Sequence, residues 1–140
     1  KEKMHAFMEV LSFDPYKYPE RKLESLLPLA DFVSIHIADT EDNIGFIDSK
    51  KMIIMKDNAT IINTARGRIV DEGALCEKFK NERLYAAFDV YWDEPYQGKL
   101  KEFYPNRFSM TPHVASTCNE YLTGSEKDLR NFMKSLGNKG

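Results

Sequence analysis

The stretch of sequence that decides the fold is ATIINTARG, residues 59–67. Up to Asn63 the stretch is β-branched or apolar on both faces, as expected of a parallel strand that is buried between helices. A short polar segment follows at once and ends on Arg66 and Gly67. Ligands of open parallel sheets bind at the carboxyl ends of the strands. The stretch therefore predicts a buried strand that delivers an arginine to a ligand-binding edge.

Two further stretches have the same design. FDVYWDEP, residues 88–95, and MTPH, residues 110–113, each place a strongly polar residue just past an apolar run. These residues are Glu94 and His113. An arginine, a carboxylate and a histidine that meet at one sheet edge are suited to handling a small anionic carbonyl compound.

Apolar runs alternate with amphipathic segments along the chain, which predicts a Rossmann-like α/β fold: a parallel sheet flanked by helices. Asp48 or Ser49 is expected to cap one helix, Asp71 the next, and Met52 and Met55 to face the core. The predicted strands are Met8–Phe13, Asp31–Ile37, Ala59–Asn63, Leu84–Val90 and Arg107–Met110, and the predicted helices are Pro19–Leu29, Asp48–Met55, Asp71–Phe79 and Asn119–Leu136.

Composition narrows the class of protein. The 140 residues suffice for one domain, and 42% hydrophobic with 30% charged residues is typical of a soluble globular protein. A net charge of -2 without a basic block argues against a nucleic-acid or membrane-surface partner. Cys76 and Cys118 have neither CxxC nor metal-ligand spacing. We expect no metal site, reduced thiols and a cytoplasmic location.

The ordered motifs resemble those of a known family. FVSIH at 32–36, NTARG at 63–67, DV at 89–90 with EP at 94–95, and TPH at 111–113 are similar to the NAD-binding domain of D-isomer-specific 2-hydroxyacid dehydrogenases. The resemblance covers roughly Val10 to Glu120. It implies an NAD-dependent oxidoreductase that transfers a hydride between NAD and C2 of a D-2-hydroxy acid or 2-keto acid. It also implies a homodimer.

The resemblance assigns three catalytic residues. Arg66 would bind the substrate carboxylate and polarise the neighbouring carbonyl with its planar, two-pronged guanidinium. His113 would be the general acid for reduction and the base for oxidation, because histidine titrates near neutral pH. Glu94 would pair with that imidazole, with Asp93 as a rival carboxylate. The alternatives are a surface salt bridge for the arginine, a buried structural histidine and a solvated turn glutamate.

The resemblance also implies a cofactor site. Asp14 would accept hydrogen bonds from the adenosine ribose, although Asp14-Pro15 could instead only start a turn. His36 would line the pocket, and Asp89 would face the nicotinamide carboxamide unless it merely caps a strand. The full set of cofactor-binding residues is Asp14, His36, Thr64, Ala65, Arg66, Asp89, His113, Ala115 and Ser116.

The chain departs from the family pattern in one respect. None of its seven glycines form GxGxxG, the turn whose backbone approaches the pyrophosphate. We expect residues 1–140 to be a partial NAD-binding domain that begins inside the helix after that turn, with Lys3–Phe7 as the last helical residues, and with the first strand and the substrate domain absent. The isolated chain is then not expected to turn over. The alternative function is a non-catalytic NAD-fold module, corepressor-like or vestigial, that binds a partner.

Overall fold

The computed structural model describes residues 8–114 and contains a four-stranded parallel sheet. Neighbouring strands follow one another in the sequence, in the order β1-β2-β3-β4. Val33 lies opposite Ile61, and Ile61 opposite Ala86, which fixes the register across the middle of the sheet. The strands are β1 (Phe32–Ile35), β2 (Thr60–Asn63), β3 (Tyr85–Phe88) and β4 (Phe108–Met110). The predicted α/β class with a parallel sheet is confirmed.

Helical segments connect the strands. The α-helices are α1 (Leu23–Leu26), α2 (Ser49–Ile54) and α3 (Glu72–Lys80), and 3-10 turns span Leu27–Leu29, Glu41–Asn43, Gly67–Ile69 and Lys99–Phe103. The predicted helix over Pro19–Leu29 is therefore much shorter than expected. Pro28 lacks a backbone N–H, so the segment continues as a 3-10 turn rather than as an α-helix.

The starts of α2 and α3 match the sequence prediction. The Asp48 carboxylate accepts a hydrogen bond from the Lys51 amide at 2.8 Å, and the Asp71 carboxylate accepts one from the Ala74 amide at 2.9 Å. Each bond satisfies an amide that has no partner within the helix. The bond from Lys51 also lowers the pKa of Asp48.

The core lies between the sheet and the helices. Ile61 in β2 is fully buried, and Met52 and Met55 face inward from α2 and its end, as predicted. Phe79 of α3 packs against Phe108 of β4 with ring centroids 5.8 Å apart. Cores of this kind fix the strands, and with them the loops at the carboxyl ends of the strands.

The prediction of a strand at Met8–Phe13 is wrong: the segment carries no strand pairing. A strand needs a neighbour that completes its ladder, and within residues 8–114 this segment has none. In the sheet of the described residues β1 is an outer strand, and Phe32 at its start is 59% exposed. The predicted helix at Asn119–Leu136 and the helical residues Lys3–Phe7 lie outside the described residues.

Candidate active site

The loop after β2 is shaped by Asn63, the last residue of the strand. Its side chain is fully buried, accepts a hydrogen bond from the Ala65 amide at 3.0 Å and donates one to the Arg66 carbonyl at 2.8 Å. The backbone is thereby folded so that Arg66 stands exposed at the carboxyl end of the sheet. In this conformation Arg66 Nη1 donates to the carbonyl of Ala65 at 2.6 Å.

The loop after β2 packs directly against the loop after β3. A Cβ at Gly67 would overlap the Tyr91 carbonyl group and the Trp92 amide nitrogen. The Trp92 indole Nε1 also donates a hydrogen bond to the Val70 carbonyl at 2.7 Å. Only glycine permits this approach at position 67, and it links the loop that carries Arg66 to the loop that carries Glu94.

Glu94 and His113 form a pair between the loops after β3 and β4. His113 Nδ1 lies 2.8 Å from Glu94 Oε2 and 3.0 Å from Oε1. Both side chains are about two-fifths exposed, at 39% for His113 and 42% for Glu94. The carboxylate partner of this imidazole in the described residues is Glu94 rather than the rival Asp93.

The surroundings of Glu94 favour its charged form. The hydrogen bond with His113 is the largest cause that lowers the pKa of Glu94. The Tyr91 amide, which donates to Oε1 at 3.2 Å, and the charges of His113 and Arg66 act in the same direction against desolvation. Arg66 follows β2, the parallel neighbour of β3, so its loop lies at the same edge of the sheet as the pair.

His113 has an unusual backbone conformation, with φ = 56°. The residues around it are held from both sides by Asp89. Asp89 Oδ1 accepts hydrogen bonds from Thr111 Oγ1 at 2.5 Å and from the Val114 amide at 3.1 Å. The Tyr91 hydroxyl lies 2.7 Å from the Thr111 carbonyl, to which it donates. The turn that presents the imidazole is thus fastened to the end of β3.

A cavity of about 420 Å³ opens beside the pair. Its wall is mainly aromatic and aliphatic, and both Glu94 and His113 contribute to it. A small organic molecule can therefore reach the pair. The lining residues are Tyr91, Glu94, Pro95, Tyr96, Lys101, Tyr104, Met110, Thr111, Pro112 and His113.

The predicted cofactor residues are spread along the chain. Asp14 Oδ1 accepts hydrogen bonds from the Tyr16 and Lys17 amides at 3.0 and 3.1 Å, so the carboxylate does start a turn. His36 is exposed just past β1, with Nε2 2.8 Å from the Ser34 hydroxyl. Asp89, by contrast, is 6% exposed and bonds to Thr111 and Val114 on either side of His113. Thr64 is exposed and Ala65 half-buried at the end of β2, whereas Ala115 and Ser116 lie outside the described residues.

Sequence reasoning overlooked four residues that shape this site: Asn63, Tyr91, Trp92 and Thr111. They use side-chain polar atoms to bind backbone groups of their own or a neighbouring loop, or a carboxylate, which no periodic pattern reveals. Asn63 does leave one signal, because a polar residue that ends an apolar strand often hydrogen-bonds to the turn that follows.

Comparison with known proteins places the chain among dehydrogenases. Residues 3–115 match the model of the D-isomer specific 2-hydroxyacid dehydrogenase NAD-binding domain. A D-3-phosphoglycerate dehydrogenase of Archaeoglobus fulgidus is 34% identical over 123 residues, which cover 81% of this chain and 23% of that enzyme. A hydroxypyruvate reductase of Thermotoga maritima is 32% identical over 141 residues, covering 93% of this chain and 46% of that enzyme.

Solved structures agree with these sequence matches. The holo form of Rhodotorula graminis D-mandelate dehydrogenase superposes with a TM-score of 0.69 at 27% identity, over 85% of this chain and 36% of that one. The chain spans between about a quarter and a half of the length of the curated relatives it matches.

Proposed function

This chain belongs to the D-isomer-specific 2-hydroxyacid dehydrogenase family, whose NAD-binding domain it matches, and we propose that it carries the catalytic groups of an NAD-dependent oxidoreductase. The reaction is hydride transfer between NAD and C2 of a small D-2-hydroxy acid or 2-keto acid. The observation that supports this most strongly is the His113–Glu94 pair, with the exposed Arg66 on the loop that packs against the loop of Glu94.

Arg66 is proposed to bind the substrate. Its guanidinium can donate two parallel hydrogen bonds to the carboxylate of a 2-keto acid. The positive charge also polarises the adjacent C2 carbonyl, because the oxygen gains negative charge as C2 is reduced.

His113 is proposed to move the proton. Glu94 occupies Nδ1, so Nε2 is the nitrogen that would give a proton to the C2 oxygen during reduction and take it back during oxidation. The carboxylate stabilises the imidazolium and fixes the orientation of the ring. Asp89 lies beside this turn, where its carboxylate could also face the nicotinamide carboxamide.

NAD is the cofactor of this domain family, and it supplies or accepts the hydride when bound. Asp89 and His113 are proposed to serve the nicotinamide end, because Asp89 bonds to the residues on either side of His113 at one sheet edge. Asp14, His36 and Thr64 are proposed to serve the rest of the cofactor. The seven glycines form no GxGxxG turn, so we assign no pyrophosphate site to this chain. Residues 1–140 are proposed to be part of an NAD-binding domain and to contain no substrate domain.

Two broader properties belong to the same proposal. From the family resemblance we expect the complete protein to be cytoplasmic and to form a homodimer. In the part of the chain that the structure describes, no helix has the length and apolar character needed to cross a membrane.

The stereochemistry of turnover tests the proposed function. We would assay the complete protein with NADH and a panel of 2-keto acids that includes pyruvate, hydroxypyruvate and glyoxylate, and then in reverse with paired D- and L-2-hydroxy acids. The proposal expects NADH oxidation and a preference for the D enantiomer. Turnover of only the L enantiomer, or of neither, would contradict it, and the latter would favour a partner-binding module.

A further inference from the structure

We propose that Asp89 and Tyr91 are positioning residues that hold His113 against Glu94 by clamping the turn on which His113 lies. This inference rests on the proposed function, in which the pair moves the proton. Asp89 and Tyr91 need not touch the substrate in order to position His113.

The first part of the clamp is the Asp89 carboxylate. A single oxygen, Oδ1, accepts a hydrogen bond from Thr111 Oγ1, two residues before His113, and another from the Val114 amide, one residue after it. Asp89 is 6% exposed, so these bonds are shielded from competition with water. The carboxylate therefore fixes the backbone on both sides of the histidine.

The second part is the Tyr91 hydroxyl. It lies 2.7 Å from the Thr111 carbonyl and 3.0 Å from the Phe88 carbonyl, and so bridges the ends of β4 and β3. Burial, followed by the negative charge of Asp89, raises the pKa of Tyr91. The phenol therefore keeps its proton, and remains a donor, at neutral pH.

The backbone of His113 is strained and needs contacts that stabilise it. A φ of 56° lies in the left-handed region, which is unfavourable for a residue with a Cβ. Such a conformation persists only when its surroundings enforce it. Within residues 8–114 the groups that bond the flanking Thr111 and Val114 include Asp89 Oδ1 and the Tyr91 hydroxyl.

One short segment supplies the side chains that hold this turn in the contacts above. Asp89, Tyr91 and Glu94 all belong to the loop after β3: the first two hold the turn, and the third binds the imidazole. The Tyr91 amide also donates to Glu94 Oε1 at 3.2 Å. The position of His113 relative to Glu94 is therefore set by the internal geometry of this loop.

The pKa of Glu94 reports the clamp without cofactor or substrate. The hydrogen bond with His113 is the main cause that lowers this pKa, so releasing the turn should raise it toward the ordinary value of 4.5. We would titrate the ¹³C-labelled glutamate carboxyls of the 140-residue chain by NMR. The variants are Tyr91→Phe, which deletes one hydroxyl and keeps the ring, and Asp89→Ala with Asp89→Asn.

The matched control is Tyr96→Phe. The Tyr96 ring stacks on Tyr91 with centroids 5.1 Å apart, and its hydroxyl is equally engaged, donating to Glu72 at 2.6 Å and accepting from the Leu100 amide at 3.2 Å. That hydroxyl does not contact the His113 turn. A general loss of stability would act alike in both tyrosine variants, whereas loss of the clamp acts only in Tyr91→Phe.

We expect the pKa of Glu94 to rise in Tyr91→Phe and Asp89→Ala, to rise less in Asp89→Asn, which keeps an acceptor oxygen, and to stay unchanged in Tyr96→Phe. Removal of the Asp89 charge by itself would lower the pKa of Glu94, so a rise cannot be a charge effect. An unchanged pKa in Tyr91→Phe and Asp89→Ala, or an equal rise in Tyr96→Phe, overturns the clamp. Neither result depends on turnover, so the proposed function stands or falls separately.

Discussion

His113 Nδ1 lies 2.8 Å from Glu94 Oε2, although 18 residues separate the two along the chain and they follow different strands. The contact exists because β3 and β4 are parallel neighbours, which brings their carboxyl ends to one edge of the sheet. It commits one imidazole nitrogen to a carboxylate and leaves the other to face a reactant. The site is thus a product of the sheet register rather than of any local motif.

Replacement of Arg66 tests the role of the guanidinium. In the complete protein, Arg66→Lys should raise KM for the keto acid and lower kcat, because an ammonium cannot reproduce the two parallel hydrogen bonds. Loss of one charge-assisted bond predicts a decrease of roughly 10- to 100-fold in kcat/KM. Steady-state kinetics of the variant and the wild type measure this decrease in kcat/KM. Arg68→Lys is the control, since Arg68 pairs with Asp39 and Glu41 instead; equal kcat/KM in both variants would remove Arg66 from the site.

The pH dependence of stability tests the His113–Glu94 pair. The folded-state pKa of Glu94 is lowered, so its stabilising contribution is present above the ordinary pKa of 4.5 and is lost as pH falls through the lowered value. Urea unfolding should therefore show a larger difference between wild type and Glu94→Gln at pH 6 than at pH 3. The carboxylate is 42% exposed, which limits the difference to about 1 kcal/mol or less.

The control for this measurement is the neighbouring carboxylate. Asp93→Asn removes a negative charge one residue away without breaking the bond to His113. A gap between pH 6 and pH 3 that is as large in Asp93→Asn as in Glu94→Gln would mean that general charge, not the pair, produces the effect.

Two glycines provide a matched test of the loop packing. Gly67→Ala should lower the free energy of unfolding by about 2–3 kcal/mol, because its Cβ would overlap the backbone of Tyr91 and Trp92. Gly73→Ala in α3 brings its Cβ only to within 3.4 Å of Asp71 Oδ1. It should be neutral or stabilise by up to about 1 kcal/mol, as expected for glycine to alanine in a helix. Similar denaturant midpoints for the two variants would refute the close approach at Gly67.

Isothermal titration calorimetry of the 140-residue chain with NAD tests the interpretation of the glycine pattern. Without a GxGxxG turn, the pyrophosphate has no assigned cradle, and we expect negligible heat at micromolar protein concentration. Micromolar affinity would show that other residues bind the pyrophosphate. The heat of NAD binding to a full-length relative, such as the D-3-phosphoglycerate dehydrogenase of Archaeoglobus fulgidus, is the positive reference under the same conditions.

The fold was predictable where local pattern and burial agree. The segment Thr60–Asn63 forms the predicted strand, as β2 inside the sheet with Ile61 fully buried, and the carboxylates of Asp48 and Asp71 cap helices as such residues commonly do. The segment Met8–Phe13 is also predicted as a strand from its apolar sequence, yet it forms no ladder within residues 8–114. Strand formation depends on a partner elsewhere, which sequence pattern alone does not supply.

The meeting of Arg66, Glu94 and His113 at one edge was predictable from strand-end positions together with family resemblance, but the way they are held was not. Nothing in the sequence distinguishes Tyr91 from the other tyrosines. Its hydroxyl contacts the Thr111 carbonyl at 2.7 Å because the register of β3 and β4 brings the two groups together. The left-handed backbone of His113 likewise arises from tertiary hydrogen bonds. Contacts of this kind depend on three-dimensional placement, which spacing in the sequence does not encode.

The central claim is that His113 moves the proton during reduction, and the most direct measurement is kcat of His113→Ala beside its affinity for NAD. In the complete protein we predict that kcat falls by about 10²- to 10⁴-fold, as expected for loss of a general acid. The dissociation constant for NAD, measured by fluorescence titration, should stay nearly unchanged. Turnover equal to that of the wild type would contradict the account.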